Sequence, residues 1–199
     1  MNALFCEDTV QLGTFQLKSM LGQGGMAQVW LGAHNASGHE VAIKLMRREY
    51  QDHPKVHAQF IAEAQTLSQI QHPNIVRVYD FGFAERTFEL HDDQRVDMGT
   101  PYYVMEHHPL GTLKEVSSPS DWVDLRMTLL AMLDGLALAH SKGLVHRDIK
   151  PSNILISAHG PILSDFGIAY RTDSDSNSQD FGISGTPSFM APEQVRDQR

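Results

Sequence analysis

Residues 146–153 read His-Arg-Asp-Ile-Lys-Pro-Ser-Asn, and the triplet Asp-Phe-Gly follows at residues 165–167. Within this short span the chain places two carboxylates, an amide and a lysine. One carboxylate can orient and deprotonate a hydroxyl group. The other, together with an amide oxygen, suits Mg2+, a hard cation that prefers oxygen ligands. A nearby lysine can offset negative charge on a phosphoryl group in transit, so the stretch combines the groups that phosphoryl transfer requires.

The stretch resembles the catalytic loop and the metal-binding triplet of the protein kinase superfamily, most closely of bacterial serine/threonine kinases of the eukaryotic-like type. The resemblance extends from about Phe15 to the end of the chain, and several motifs occur in the order typical of the family. It implies an α+β, bilobal kinase fold after a leader at residues 1–14. Residues 15–107 would form an N-terminal lobe with an antiparallel sheet and one regulatory helix. Residues 108–199 would form a partial, mainly helical C-terminal lobe with the catalytic loop and the activation segment.

The resemblance gives a role to each polar residue of the two motifs. Asp148 is implied as the base that accepts the proton of the substrate hydroxyl, and Lys150 is the residue that serine/threonine kinases carry two positions later. Asn153 and Asp165 are implied as ligands of Mg2+, with Mn2+ as an alternative metal. Leu155 is implied as the floor of the adenine pocket. An ordinary loop or capping role is the alternative for the two aspartates, and it would be favoured for an isolated Asp-Phe-Gly.

A glycine-rich stretch, Leu-Gly-Gln-Gly-Gly-Met-Ala-Gln-Val, occupies residues 21–29. Small residues let backbone amides approach phosphates, but a dinucleotide-binding fold is the obvious alternative, and that fold needs a helix directly after the glycines. Instead, the pattern predicts strands at residues 15–20, 29–31 and 41–45, with a turn at residues 35–38. In kinases the elements that cover ATP occur in the same order, which is a strand, the glycine loop, a strand, a turn and a strand.

By resemblance, the glycine-rich stretch and the strand after the turn contact ATP. Ala27 stands where the family usually has glycine, and we expect this difference to tune the mobility of the loop without abolishing binding. Alternation along the strand would project Ala42 and Lys44 to one face, where Ala42 would contact the adenine and Lys44 the phosphates. The other residues of this region that are predicted to bind the nucleotide are Leu21, Gly22, Gln23, Gly24, Gly25, Met26 and Val29.

An amphipathic helix is predicted next, because apolar residues recur at helical spacings from Val56 to Ile70. Glu63 lies on this helix at the position that, by resemblance, pairs with Lys44 in active kinases and completes the catalytic set. A solvated helix acid is the alternative interpretation of Glu63. Residues 72–76, His-Pro-Asn-Ile-Val, are expected to end the helix, since proline breaks the helical pattern, and to start the next strand.

Residues 84–100 are polar, acid-rich and longer than the connection that is usual in the family. They predict an extended hairpin loop, and a solvated loop is favoured over a docking insertion. Residues 102–108 are predicted to form the next apolar strand, which runs into the hinge between the lobes. There the resemblance implies that Met105 guards the rear of the adenine pocket and that backbone groups of Glu106 and His108 bond the adenine edge.

A long helix is predicted to lead the chain towards the catalytic loop. Asp121 or Ser120 would cap its N-terminus, and Gly143 would permit its end. A stripe of leucines on this helix is predicted to be buried, and its members are Leu125, Leu129, Leu133 and Leu136.

Residues 168–193 resemble an activation segment, and Gly-Thr-Pro before Met-Ala-Pro-Glu near its end again favours serine or threonine substrates. The part rich in Ser and Asp, residues 172–184, is predicted to be mobile when unmodified. A phosphate there would pair with Arg147 and order the segment, whereas a flexible linker without regulation is the alternative. The candidate acceptors are Thr172, Ser174, Ser176, Ser178 and Ser184.

Composition limits the partners of the chain. The net charge of −8 argues against binding to nucleic acid or to an anionic membrane, because both need clustered lysine and arginine. Cys6 is the single cysteine, which excludes an internal disulfide framework and suits a reducing, cytoplasmic compartment. No apolar stretch approaches the ~20 residues of a membrane span, and an anchor beyond Arg199 is left open. The predicted partners are ATP and a protein with Ser or Thr acceptors, and a homodimer is left open.

Three functions fit these motifs to different degrees. The first is an ATP- and Mg2+-dependent serine/threonine protein kinase with a signalling role. The second is a truncated or pseudokinase-like ATP-binding regulatory module, because helices that follow in the family are missing from the sequence. Their absence predicts exposed apolar surface beneath the C-terminal lobe, an unpaired Glu193 and doubtful turnover. The third, a small-molecule phosphotransferase of related fold, is disfavoured by the catalytic-loop pattern and the Ala-Pro-Glu ending.

Overall fold

The computed structural model describes residues 10–90, 95–116, 121–166 and 187–192. The chain divides into two compact units, which are Met1–Ala64 with Val78–His107 and Gln65–Arg77 with His108–Arg199. Most of the predicted activation segment, its candidate phosphorylation sites and Glu193 lie outside the described residues, as does most of the predicted leader. The assignment of the sequence to a leader and two lobes stays a prediction.

The strands described in the first unit are β1 (Gln11–Leu12), β2 (Phe15–Gln23), β3 (Ala27–His34), β4 (Glu40–Met46), β5 (Val78–Phe83), β6 (Phe88–Glu89), β7 (Arg95–Val96) and β8 (Pro101–Glu106). Six of them form one antiparallel sheet in the order β1-β2-β3-β4-β8-β5, and β6 pairs with β7 in a separate hairpin. The predicted strands at residues 29–31 and 41–45 are confirmed within β3 and β4, and the one at residues 15–20 begins the longer β2. Because β3 follows the glycines directly, the dinucleotide-binding alternative is excluded.

Alternation along β4 separates the two faces of the sheet. Val41, Ile43 and Leu45 lie in a buried apolar core, so Ala42 and Lys44 lie on the opposite face. Side chains from the other strands and from the segment between β5 and β8 complete this core, and they are Leu12, Phe15, Leu17, Trp30, Ala84, Leu90, Val96, Tyr102 and Val104. Burial of these aliphatic and aromatic groups stabilises the sheet on its inner face.

Gly32, in β3, is required by the close packing of this core. A Cβ atom there would lie 2.6 Å from Cδ1 of Ile43 and 3.0 Å from the carbonyl oxygen of Gln16. We expect Gly32→Ala to lower the free energy of unfolding by about 1–3 kcal/mol, because the backbone at Gln16 cannot move aside without disturbing the sheet. Urea denaturation checks this, with Gly22→Ala in β2 as the control, since no atom lies within 4 Å of a Cβ there. Equal urea midpoints for the two variants would show that the core yields more easily than its geometry indicates.

The segment between β5 and β8 is a hairpin, as predicted, because β6 pairs with β7. The favoured interpretation of it as a solvated loop is wrong for several of its residues. Ala84, Leu90 and Val96 are buried in the core of the first unit, and Thr100 is buried as well. A few apolar residues among many polar ones suffice to fix the segment, since each removes its apolar surface from water when it packs against the sheet.

Helix α1 spans Pro54–Ser68, and its predicted apolar face is buried. The helix ends before the proline that was expected to end it, and the next strand begins at Val78 instead of within residues 72–76. The amides of Gln69 and Ile70 bond carbonyls three residues back, at 3.2 and 3.0 Å. These tight bonds satisfy backbone groups at the helix end, so the chain leaves the helical path before it reaches the proline.

The elements described in the second unit are helix α2 (Trp122–Ser141) and the hairpin of β9 (Ile154–Ser157) and β10 (Gly160–Leu163). Asp121 caps α2 as predicted, because its carboxylate accepts a hydrogen bond from the N–H of Asp124 at 2.9 Å. Gly143, at φ +75°, takes the left-handed conformation that ends helices, also as predicted. Among the described residues, no helix has both the length and the apolar character needed to cross a membrane.

The predicted burial of the leucine stripe on α2 is wrong for three of its four members, and the fourth, Leu136, is half-buried. The exposed fractions are 37%, 44% and 59% for Leu125, Leu129 and Leu133. The helix instead buries Met132, Gly135 and Ala139, and a Cβ at Gly135 would lie only 3.1 Å from the carbonyl oxygen of Asn74. The small residue thus sets the close contact, and nothing in the described part of this unit covers the exposed leucines. These leucines give α2 an exposed apolar surface.

Candidate active site

One face of the sheet in the first unit gathers several of the predicted nucleotide-binding residues. Val29, Lys44 and Tyr103 are paired in register across β3, β4 and β8, and Ala42 is paired with Met105 in the same way. Residues paired in register project their side chains to the same face, so all five lie opposite the apolar core. Ala42 and Met105 are buried, whereas Val29 and Lys44 are half-buried. This face therefore combines an apolar surface with one cationic group.

The glycine-rich turn, residues 24–26, joins β2 to β3 in the same unit. The N–H of Gly24 donates to the carbonyl oxygen of Ala27 at 2.8 Å and closes the turn. Residues 21–23 belong to β2 and are exposed, so the predicted strand is longer than its alternating pattern indicates. Ala27 is the first residue of β3 and is buried, so its methyl group is removed from solvent.

Arg47 holds the glycine-rich turn, and sequence reasoning missed it. Its Nη1 donates to the carbonyl oxygens of Gly25 at 2.9 Å and Gly24 at 3.3 Å, and its backbone N–H donates to the carbonyl of Met26 at 3.0 Å. Glu49 pairs with the same guanidinium. Because the C=O and N–H of a trans peptide point to opposite sides, these bonds turn the following amides of the turn away from Arg47. No motif indicates this contact, since it depends on where β4 ends.

Lys44 and Glu63 form an ion pair in the first unit, as the resemblance implies. The Nζ of Lys44 lies 3.0 Å from Oε1 of Glu63, and the side chains are 13% and 9% exposed. The hydroxyl of Tyr103 donates to the same Oε1 at 2.8 Å. A buried carboxylate needs such partners, because an uncompensated charge in this setting is strongly destabilising. Sequence reasoning missed Tyr103, because its position opposite Lys44 is set by the register of β8 against β4.

The remaining residues predicted to bind adenine are divided between the two units. Met105 and Glu106 end β8 in the first unit, and His108 follows as a half-buried residue of the second. Leu155 lies half-buried in β9, paired with Ile162. Their contacts with a nucleotide stay predictions.

The catalytic-loop residues of the second unit are joined by hydrogen bonds around one carboxylate. Oδ2 of Asp148 lies 2.7 Å from Nζ of Lys150 and accepts a bond from Nδ2 of Asn153 at 2.9 Å. The same Nδ2 donates to the backbone carbonyl of Asp148 at 2.9 Å. A single 3-10 turn, Pro151–Asn153, brings the amide back towards the aspartate. The loop thus fixes the carboxylate with one cationic and one neutral donor.

The segment that carries Asp165 is tied to the same loop. The N–H and the hydroxyl of Ser164 both donate to the backbone carbonyl of Asn153, at 3.0 and 3.1 Å. Asp165 and Arg147 are the two non-glycine residues with left-handed backbone in the described part of the chain, at φ +52° and +62°. Such conformations cost free energy and concentrate at functional sites. The backbone is therefore strained at both predicted motifs.

His146 and Phe166 form the buried support beneath these residues. Both are almost fully buried, and their ring centroids lie 4.6 Å apart. Burial lowers the pKa of His146, and the nearby carboxylates of Asp165 and Asp148 oppose this shift only in part. Because burial disfavours the charged form of His146, this residue is suited to packing against Phe166.

The side-chain atoms that could ligate a metal at this site are oxygen atoms. The Nδ2 of Asn153 is used on Asp148, so its Oδ1 is turned to the other side, where the hydroxyl of Ser152 lies 3.5 Å away. Within the described ranges, no cluster of three or more His, Cys, Asp or Glu side chains could hold a metal ion. An amide and a carboxylate supply oxygen ligands of the type that a hard divalent cation prefers, so Asn153 and Asp165 are residues that could hold one.

Comparison with known proteins agrees with these motifs and this fold. The protein kinase domain model matches residues 15–199. The probable serine/threonine-protein kinase PknB of Bifidobacterium longum is 36% identical over 190 residues, which cover 92% of this chain and 27% of that protein. The serine/threonine-protein kinases PknA of Mycobacterium tuberculosis and PrkC of Bacillus subtilis are 36% and 35% identical over 188 residues, which cover 92% of this chain and 42% and 27% of those proteins. The chain thus spans less than half the length of these relatives. The predicted family and kinase fold are confirmed, and the chain belongs to the protein kinase family.

Proposed function

We propose that this chain is a protein kinase that transfers the γ-phosphoryl group of ATP to serine and threonine hydroxyls of proteins, in a signalling role. The observation that carries the proposal is the fixed carboxylate of Asp148, which is bonded by Lys150 and Asn153 at 2.7 and 2.9 Å. A carboxylate held in this way suits a general base. The lysine two residues after the aspartate favours serine and threonine over tyrosine as the acceptor.

In the proposed reaction Asp148 acts on the substrate hydroxyl. Both side-chain bonds to this carboxylate go to Oδ2, so Oδ1 is the oxygen that would accept the hydroxyl proton. The hydroxyl oxygen then bonds to the γ-phosphorus, the bond from that phosphorus to the β–γ bridging oxygen breaks, and ADP leaves. Lys150 would offset charge on the group in transfer, since its ammonium is held beside the base.

The sheet face of the first unit supports ATP binding. Ala42, Val29 and Met105 provide apolar surface for a purine, and Lys44 provides a cation that Glu63 holds in place. The N–H groups of Gly25 and Met26 belong to the peptides whose carbonyls Arg47 holds, so they point away from Arg47 and suit phosphate oxygens. Adenine contacts by Glu106, His108 and Leu155 are part of the same proposal.

The kinase family uses a divalent metal with ATP, and Asn153 and Asp165 are the residues that would hold it. Their side-chain oxygens are the ligand type that Mg2+ prefers, and the orientation of the Asn153 amide leaves Oδ1 available for a cation. Bound metal supplies charge neutralisation on the phosphates. We propose Mg2+ as the metal, with Mn2+ as a substitute.

The proposed activity is tested with the full chain, γ-labelled ATP, Mg2+ and a generic basic protein. Label recovered as phosphoserine and phosphothreonine is the expected result. Nucleotide binding without transfer would favour the alternative, an ATP-binding regulatory module with little turnover. Against that alternative stands the complete set of Lys44, Asp148, Asn153 and Asp165. A cytoplasmic location and a homodimer stay parts of the proposal, for fractionation and sedimentation to test.

A further inference from the structure

Tyr103 of β8 is hydrogen-bonded to Glu63, the residue whose carboxylate also pairs with Lys44. Its side chain is only 1% exposed, and its hydroxyl lies 2.8 Å from Oε1 of Glu63. Lys44 contacts the same oxygen at 3.0 Å. The carboxylate therefore receives a phenolic and an ammonium donor on one atom, from two neighbouring strands.

The ring of Tyr103 adds two further contacts. Cross-strand pairing sets it beside Lys44, whose Nζ lies 5.4 Å from the ring centroid. Phe60 of α1 packs against the ring with the centroids 5.3 Å apart. Phe60 and Glu63 lie on the same side of α1, since residues three apart are neighbours on a helix surface. Tyr103 thus touches the helix at two points along the same face, one apolar and one charged.

We propose that Tyr103 is a positioning residue that fixes the carboxylate of Glu63, and with it α1, so that Lys44 is held ready for the phosphates of ATP. The inference rests on the proposed function. Lys44 alone would fix the position of the Glu63 carboxylate poorly, because the flexible lysine side chain can keep the ion pair in several rotamers while the carboxylate moves. A phenol on a packed ring has little such freedom, and a hydrogen bond to an ionised acceptor is stronger than a neutral one.

The alternative is a tyrosine that only fills the core. In that case the loss of its hydroxyl would change stability and leave the turnover of the folded protein unchanged. A positioning role predicts the reverse: turnover falls while the fold, including the ring contact with Phe60, is kept. Tyr103→Phe separates the two, because phenylalanine retains the ring and removes only the hydrogen bond.

Tyr102→Phe is the matched control. Tyr102 is the adjacent residue of β8 and lies on the opposite face, in the core, where its hydroxyl would be 2.8 and 2.9 Å from a Cβ at Gly13 and Gly82. We expect Tyr103→Phe to lower kcat about tenfold, within the range for loss of a hydrogen bond to a charged group, and to change the KM for ATP much less. For Tyr102→Phe we expect a kcat within about twofold of wild type.

A double-mutant cycle with Glu63→Gln tests whether Tyr103 acts through Glu63. If it does, Tyr103→Phe has little further effect on kcat once Glu63 has lost its charge, because the two residues form one unit. An equal loss in both backgrounds, or a wild-type kcat in Tyr103→Phe, would overturn the inference.

Hydrogen exchange gives a readout that does not need catalysis. If the Tyr103–Glu63 hydrogen bond holds α1 in place, the amides around residues 60–64 should exchange faster in Tyr103→Phe than in wild type. Their exchange should be unchanged in Tyr102→Phe. Unchanged exchange in α1 of Tyr103→Phe would argue against this role. If wild type transfers no phosphate but Tyr103→Phe speeds hydrogen exchange in α1, the proposed kinase function is wrong and the role of Tyr103 in fixing Glu63 is retained.

Discussion

Replacing Asp148 by asparagine is expected to lower kcat for phosphoryl transfer by about 10²- to 10⁴-fold, the range for loss of a positioned general base. Asparagine has nearly the same shape, so the loop can keep its bond from Asn153. What is lost is the acceptor for the hydroxyl proton and the negative partner of Lys150. ATP binding should persist within a few-fold, because the change removes no group that is proposed to contact the nucleotide. Steady-state rates and calorimetric titration with ATP check the two parts.

The control for this variant is Asp134→Asn in the same unit. The side chain of Asp134 is 74% exposed on α2, with its carboxylate 3.2 Å from Nε2 of His72, and asparagine at such an exposed position is expected to have little effect on stability. Its kcat should match wild type. An Asp148→Asn enzyme that retains more than about a tenth of the wild-type rate would remove Asp148 from the role of base.

Asp165→Asn is expected to lower kcat by an amount similar to that for Asp148→Asn, through weaker metal binding and not through loss of the base. Asparagine tolerates left-handed backbone as well as aspartate does, so the φ of +52° at this position does not exclude the variant from folding. The bonds from Ser164 to Asn153 involve other groups and should persist. We expect the rate to fall by about 10²-fold or more, and the metal concentration for half-maximal rate to rise, because a carboxylate ligand becomes neutral.

Metal binding can be followed apart from turnover, by the effect of Mn2+ on water proton relaxation in the presence of ADP. Asp165→Asn should weaken the Mn2+ signal. Asp121→Asn serves as the control, since asparagine caps a helix as well as aspartate does and this residue contacts the N-terminus of α2. The same Mn2+ affinity in wild type and Asp165→Asn would assign the metal to other ligands.

Local patterns in the sequence predict much of the first unit. The strands at residues 29–31 and 41–45 follow from their alternation, and the face shared by Ala42 and Lys44 follows from the period of a strand. The pairing of Lys44 with Glu63 rests instead on the resemblance to kinases. The catalytic loop is likewise identified by its motif, because several unlike residues must occur in a fixed order.

Features that depend on tertiary packing are not readable in this way. Tyr103 acquires its contact with Glu63 from the register of β8 against β4, and Arg47 reaches the glycine-rich turn from the end of β4. The spacing of the leucines predicts an apolar face on α2, but it does not show which face of the helix packs against another element. The helix packs through Gly135 instead, because the small residue allows the closest approach.

The proposed kinase function requires that Lys44, which is paired with Glu63, contacts the phosphates of ATP. A nucleotide with a reactive acyl group on its terminal phosphate transfers that group to amines in contact with the phosphates, and peptide mapping identifies the acylated lysine. We expect acylation of Lys44 that excess ATP blocks, and no such protection at Lys18, whose ammonium pairs with Glu40 at the surface. Lys44 left unmodified, or modified equally with and without ATP, would contradict the proposed contact between Lys44 and the phosphates.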